Sequence, residues 1–349
     1  MLTTFSLDSE VEMKEWDDFV QSHPQGSPYH LSQWIRVLKE TYSFKPLLYV
    51  LKPDGKGLQG VLPFFSIKSF LTGSRLASMP FSDYGGPLFR DESEETGCLK
   101  EIVERHGKKG KYIEIRGRIP DGSGFVCHNY YKRHLLPLNS DLGAVRKNID
   151  KRTIQYSIRK AEKVGIRIEE VNSESGMSEF YRLNCLTRKK HGVPAQSRRY
   201  FEILYREMIA KGFGFVLLAV HESKVVAGSL FLKLGKGIHY KYNASDPDIL
   251  GKITPNHSLT WQAIVKGCSE GFESIDFGRT SPDNEGLMRY KEMWGARCLD
   301  APYYYYPAIR GAVSTEESGL RYKLGTGLWK KLPDFVVEKL GPRLYKHMG

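Results

Sequence analysis

No run of eighteen apolar residues occurs in this 349-residue chain, so no membrane-crossing helix is expected. Cysteine is sparse. Cys98, Cys127, Cys185, Cys268 and Cys298 are odd in number and scattered. No two have metal-ligand spacing, which argues against a disulfide framework or a local metal motif; reduced thiols, no metal and a cytoplasmic protein are expected. The first residues, Met1 to Asp8, lack a basic stretch followed by a long apolar one, so no secretory signal is expected. Negative charge is in deficit: 40 Asp and Glu face 52 Lys and Arg, a net charge of +12.

What is present suits a soluble protein of about two domains. Hydrophobic residues make up 40% and charged ones 26%, enough apolar surface for a large core. The positive charge favours anionic partners such as phosphorylated ligands, nucleic acid or an acidic membrane face. It concentrates between Arg146 and Arg199, where fourteen Lys and Arg meet six Asp and Glu. The stretch from Gly319 to Gly349 carries seven basic and two acidic residues among Leu320, Leu324, Leu328, Trp329, Leu332, Phe335 and Leu340. That amphipathic pattern fits docking on the body of the protein or peripheral contact with an anionic membrane.

Apolar periodicity gives a mixed α/β chain. In the first half, helices are expected at 11–21 and 32–41, the second capped by Ser32, with Trp34 as a core anchor. Strands follow at 47–51, 58–67 and 75–79, then a helix at 93–105 and extended runs at 112–116 and 130–138. In the second half, a basic helix at 151–163 ends at Gly165. A strand at 167–171 and helices at 178–190 and 200–211 come next. Three strands at 214–221, 225–234 and 238–244 are joined by tight turns. A helix over 255–270 has Thr254 where a cap belongs and Pro255 at its first position. A strand at 274–277 and a helix at 284–293 complete the order. Strand, strand, strand, helix, strand thus occurs in each half without repeated words.

A three-strand meander followed by a helix and a further strand leaves two neighbouring strands free to diverge. The backbone edge exposed there can hold an extended ester or thioester. The helix after the meander turns its free N–H groups and dipole toward the gap, where a phosphate would be favoured. Asn256 and His257, in its first turn, are therefore candidate donor contacts. The preceding loop, Asp248 to Thr254, holds one glycine, so coenzyme A is allowed but not signposted. Arg279, at a strand end, suits a phosphate or carboxylate. Tyr240 to Asn243 alternate along the third strand, placing Tyr240 and Tyr242 on one face; Tyr242 is the candidate substrate contact. Asp83, in Phe81-Ser82-Asp83-Tyr84-Gly85-Gly86, is a candidate general base, its glycines allowing close backbone approach.

Ile158 to Gly165, Thr187-Arg188-Lys189-Lys190-His191-Gly192, Pro255 to Ala263, Gly271 to Gly278 and Lys291 to Gly295 together resemble the FemABX peptidyltransferase family. The FemAB-like, CelD-like branch of the GNAT acyltransferase superfamily is the nearest. The resemblance implies two tandem GNAT-like domains, at 1–144 and 145–310, with a helical tail at 311–349. It implies that Lys291, in Tyr290-Lys291-Glu292-Met293-Trp294-Gly295, stabilises the anionic tetrahedral intermediate or the donor's ribose phosphate. Lys190 or Arg188 would bind substrate phosphate, with Arg36 or Lys39 in a similar role. The expected activity is acyl or aminoacyl transfer to an amine or hydroxyl of a cell-envelope or polysaccharide precursor. The donor would be acyl-coenzyme A or aminoacyl-tRNA, with no tightly bound cofactor, and the acceptor phosphorylated or lipid-linked. No long heptad segment is present, which weighs against the tRNA-binding coiled coil of many members. The competing reading is a non-catalytic module that binds nucleic acid or a polysaccharide-assembly partner.

Overall fold

The computed structural model describes residues 1–249, 253–309, 327, 329–330 and 332–348. The chain forms two compact units. One comprises Met1–Lys132, Asp300–Glu316 and Lys346–Gly349, the other Arg133–Leu299 and Glu317–Tyr345. The second unit thus begins at Arg133, inside a strand, whereas the family resemblance implied a boundary after residue 144. The chain returns to the first unit at Asp300.

The first unit starts with strand β1 (Thr3–Phe5) and helices α1 (Glu10–Ser22) and α2 (Ser32–Tyr42). Strands β2 (Lys45–Leu51), β3 (Gly60–Ser69) and β4 (Gly73–Ser78) form an antiparallel meander. The short β5 (Leu88–Phe89) pairs with β3. Helix α3 (Glu92–His106) leads into β6 (Ile113–Arg116), parallel to β4. The end of strand β13 (Arg297–Tyr306) lies antiparallel to β6, with Tyr303 opposite Arg116. Leu62 and Phe64 pack with Leu99 and Ile102 of α3 and with Ile113 and Ile115. Trp16 and Trp34 are fully buried. Their indole N–H groups donate to the His30 carbonyl at 2.7 Å and to Ser82 Oγ at 2.8 Å.

The N-terminus of α2 differs from expectation. Leu31 is the cap residue and makes no side-chain bond. Asp17 of α1 instead accepts from the Ser32 N–H at 2.7 Å and the Ser32 hydroxyl at 2.5 Å. A carboxylate does the cap's work from a neighbouring helix, at the positive end of the dipole.

The second unit holds the end of β7 (Val126–Pro137), helices α4 (Leu142–Lys147) and α5 (Tyr156–Lys163), and strand β8 (Arg167–Val171). Helices α6 (Glu174–His191) and α7 (Arg198–Leu204) follow. Strands β9 (Gly214–His221), β10 (Lys224–Leu234) and β11 (Gly237–Ser245) form a meander, with β8 antiparallel to β9. Helix α8 (Pro255–Ser269), strand β12 (Ser274–Thr280), parallel to β11, and helix α9 (Glu285–Glu292) close the order. Phe215, Leu217 and Ala219 join the core cluster of α5 and α8. From the alternate register, Leu218 lies where a Cβ on Gly228 would also meet Phe180 of α6. Helices on both faces explain why β9 is a continuous apolar run rather than an alternating one.

The basic helix is not regular: Lys151–Gln155 is a π turn that leads into α5, as Tyr205–Ile209 is after α7. Thr254 makes no capping bond; its hydroxyl donates to the Ser157 carbonyl at 3.3 Å. Leu320, Leu324 and Leu328 lie outside the described residues, as do Leu250, Gly251 and Lys252 of the expected phosphate loop. Helix α10 (Asp334–Tyr345) docks on the second unit. Tyr345 is buried, and its hydroxyl accepts from Gln196 Nε2 at 3.1 Å and Arg188 Nη2 at 3.4 Å.

Candidate active site

Strands β11 and β12 part as the acyl-transfer argument requires. Their parallel ladder covers Gly237–His239 and Ser274–Asp276 only, while the strands continue to Ser245 and Thr280. A β-bulge lies beside the end of that ladder. Leu230 pairs with Tyr242 and Phe231 with Tyr240, so Lys241 is the extra residue. The bulge corrects the expected alternation, because one inserted residue moves everything beyond it to the other face. Tyr240 packs on Phe231 at 4.5 Å and Phe277 at 5.8 Å. Tyr242 points to the α6–α7 side, its hydroxyl 2.8 Å from that of Tyr200. Asn243, not Tyr242, shares a face with Tyr240: its amide donates to the Tyr240 hydroxyl at 3.0 Å.

Lys291 is buried on α9, 5% exposed. Its ammonium donates to the Gly278 carbonyl at 2.9 Å and to Thr280 Oγ1 at 2.7 Å, both beyond the point where the ladder ends. Gly278 has φ +70° within a strand, a conformation that glycine alone reaches without penalty. The buried Asp276 carboxylate accepts from the Gly278 N–H at 2.8 Å and lies 3.5 Å from Arg133 Nε. The kink at the end of β12 is therefore held from both sides. Arg279, half-buried, is one residue away and in strand register faces opposite to Thr280.

The start of α8 adjoins this region. Asn256 Oδ1 accepts from Ser245 Oγ at 2.8 Å and Asn243 Nδ2 at 3.3 Å. The His257 ring lies 5.7 Å from Tyr290 and stacks on Trp294 at 6.2 Å. Burial depresses the proton affinity of His257, the Thr254 carbonyl opposing. Ser258 Oγ in the same turn is buried with no partner among the described residues. Lys291, Tyr290, His257 and Asn256 are thus neighbours, one from the next, around the parted strands. Arg188 belongs to a separate cluster with Tyr345, Gln196 and Tyr242. Its guanidinium stands 5.6 Å from the Tyr345 ring, and burial first, then Tyr345, pushes the Tyr242 phenol well above its ordinary range. Lys190, in the last turn of α6, is exposed.

In the first unit, Asp83 sits on a strained loop. Met79 and Phe81 hold positive φ values of 40° and 60°, a conformation that stores energy at non-glycine residues. The loop is tied to β6. The Gly85 N–H donates to the Arg116 carbonyl at 2.8 Å and Arg116 Nη1 donates to the Ser82 carbonyl at 3.1 Å. A Cβ on Gly85 would approach Met79 Cβ to 2.5 Å. Asp83 Oδ2 accepts from the Tyr29 hydroxyl at 3.0 Å, and the Asp83 carbonyl accepts from the Tyr303 hydroxyl at 3.1 Å. Arg36 donates to the Leu7 carbonyl at 2.9 Å and Lys39 pairs with Asp8 at 2.9 Å. Those two cations fasten the N-terminal segment to α2.

Two parts of these clusters were missed from sequence. Nothing in the sequence marked Tyr29 as the partner of Asp83. His134, on β7, is 0% exposed and has no hydrogen-bond partner among the described residues. Burial, then the Lys291 ammonium, lowers its pKa to about 4. No sequence signal marks it.

Residues 150–292 match the family model of the acetyltransferase (GNAT) domain. Among solved structures the chain is similar to FemX, at 17% identity and a TM-score of 0.67, over 87% of this chain and 96% of that one. It is similar to the C-terminal domain assigned to a lysylphosphatidylglycerol synthetase of Agrobacterium fabrum. That match has 14% identity and a TM-score of 0.58, over 86% and 93% of the two chains. It is also similar to a tandem GNAT protein from the clavulanic acid biosynthesis pathway, at 10% identity and a TM-score of 0.54, over 89% and 99%. At such identities the likeness is one of fold. No curated protein sequence matches the chain.

Proposed function

From the premise that its GNAT domain at 150–292 makes this chain an acyltransferase of FemABX-like fold, we propose that it transfers an acyl or aminoacyl group to an amine or hydroxyl of a cell-envelope or polysaccharide precursor. The observation that carries this reading is the short β11–β12 ladder with Lys291 fixed just beyond its end. An acyl donor lying along the parted edge would bring its carbonyl toward that ammonium. The acceptor's lone pair attacks the carbonyl carbon and the π pair moves to oxygen. Collapse of the tetrahedral adduct then expels the donor's thiolate or alkoxide, and the nucleophile gives up its proton. An immobile cation in a water-poor site stabilises the transient oxyanion without reorganisation, and alignment of the two substrates supplies much of the rate.

Acyl-coenzyme A is the first donor to test, its phosphates meeting the start of α8 at Asn256, His257 and Ser258. Aminoacyl-tRNA is the second. Asp83 is proposed to accept the nucleophile's proton. Arg188, Lys190 and Arg279 are proposed to recognise a phosphorylated or lipid-linked acceptor. The lysylphosphatidylglycerol synthetase domain, as named, supports a lipid-related acceptor. Among the described residues no helix is long and apolar enough to cross a membrane, so contact with a lipid-linked acceptor would be peripheral.

The test is a thermal-shift panel of acetyl-coenzyme A, longer acyl-coenzyme A species, aminoacyl-tRNA and nucleotide-sugar precursors. A donor that binds the native state raises the melting temperature and should then support transfer. A chain that no donor stabilises, yet that binds RNA with steep salt dependence, would be a non-catalytic module using the exposed Lys151, Arg152, Arg159, Lys160 and Lys163.

A further inference from the structure

His134, Glu292 and Cys298 come from β7, the end of α9 and the start of β13. Within the second unit, one ligand atom from each, an imidazole nitrogen, a carboxylate oxygen and a thiol sulfur, lies within 4.8 Å of the other two. His134 is fully buried, and neither ring nitrogen has a hydrogen-bond partner among the described residues. Its Nε2 is 4.0 Å from Glu292 Oε1, beyond hydrogen-bond reach. A buried imidazole ordinarily satisfies its polar nitrogens, so this one points to a missing partner. Glu292 and Cys298 are exposed, which opens the cluster to solvent on their side.

We propose that His134, Glu292 and Cys298 form a binding site for a zinc-class divalent cation. The donor set of one nitrogen, one oxygen and one sulfur suits a borderline ion. Magnesium and calcium favour oxygen alone. The donor atoms lie up to 4.8 Å apart, and side-chain shifts that draw them together would let an ion sit at roughly 2.0–2.3 Å from each. The Cys298 thiol gives up its proton on binding. The resulting thiolate and the Glu292 carboxylate together offset the dication's charge. The Lys291 ammonium, whose field reaches His134, opposes the ion, but it is held away on the Gly278 carbonyl and Thr280 Oγ1. Three protein ligands leave a fourth position for water. Because Glu292 directly follows Lys291, the ion would clamp the end of the helix that carries the lysine. The site stands whatever the donor and acceptor of transfer prove to be.

The test uses the full chain, stripped with a chelator and titrated with zinc in competition with a chromophoric chelator, and separately with cobalt. The expected result is about one ion per chain and, with cobalt, a near-ultraviolet sulfur-to-metal absorption band. Cys298→Ser removes the band and weakens zinc binding about tenfold or more; Glu292→Gln weakens binding similarly but keeps the band at saturating cobalt. Cys127→Ser, at the other exposed cysteine, changes neither. His134→Ala should also lose the ion, but it empties a buried position, so the decisive variant is Cys298→Ser at an exposed one. No zinc uptake by the wild-type chain, or a band and affinity that survive Cys298→Ser, overturns the proposal.

Discussion

At the residue scale, two side chains yield separable predictions. Asp83→Asn keeps an oxygen to accept the Tyr29 hydroxyl, so the loop should hold its shape. The carboxamide has no basic lone pair. Turnover is expected to fall by about 10²-fold with an unchanged melting temperature, and steady-state kinetics with calorimetry checks both. His30 contributes to the pH response. Its Nε2–H donates to the Gly86 carbonyl at 3.0 Å and its Nδ1 accepts from the Ser27 hydroxyl at 2.7 Å. Complete burial lowers its pKa to about 4. Between pH 6.5 and 4 the unfolded chain takes up a proton that the folded chain refuses. Stability is therefore full above pH 6.5 and declines as pH falls, by about 3 kcal/mol across the window for this group. His134, also at about 4, acts in the same direction. Glu95, pushed up to about 8 by burial, acts in the opposite direction over the same window, so the effect of His30 is read against His30→Gln. In urea unfolding at pH 7 and pH 4.5 the wild type should lose more stability on acidification, or gain less, than the variant, which is less stable at pH 7. Lys291 was singled out because its neighbours formed a word. His30 and His134 were not, since their chemistry depends on partners from distant segments or on having none.

At the scale of elements, the kink in β12 and the bulge in β11 set the site. Gly278→Ala puts a Cβ on a φ of +70°, costing about 1–2 kcal/mol, and turns away the carbonyl that anchors Lys291. Gly235 has φ +54° on a turn where a Cβ would meet nothing. Gly235→Ala should carry a similar stability penalty without the loss of turnover expected for Gly278→Ala. Parallel chemical unfolding and kinetic assays of the two variants make the comparison. The meander β9–β11 and helix α8 were readable to within a residue or two, because long apolar runs, tight turns and Pro255 mark them. The bulge at Lys241 was not. It leaves composition unchanged and appears only when β10 and β11 are set in register, so Tyr240 and Tyr242 were expected together and stand on opposite faces. The caps at Ser32 and Thr254 failed for a related reason, as their hydroxyls found tertiary partners.

At the scale of the whole molecule, each unit holds a mixed sheet with helices, and the fold resembles tandem GNAT proteins along most of the chain. The fold class could be read from the repeated order of elements. The division of the chain could not, because it falls inside continuous strands, where composition does not change. The tail was read as amphipathic, and its described part docks through Tyr345. Tyr345→Phe removes the acceptor for Arg188 and Gln196. The expected loss is about 1 kcal/mol, with a higher KM for an anionic acceptor once Arg188 is free to move; acceptor titration at fixed donor measures it. The central claim is that a donor carbonyl meets Lys291 where β11 and β12 part. Lys291→Met keeps the side chain's bulk and removes its charge. The deciding measurement is acyl transfer at saturating donor, using the donor that stabilises the wild-type chain. The account predicts kcat lower by about 10² to 10³-fold with donor affinity nearly unchanged; an undiminished kcat would contradict it.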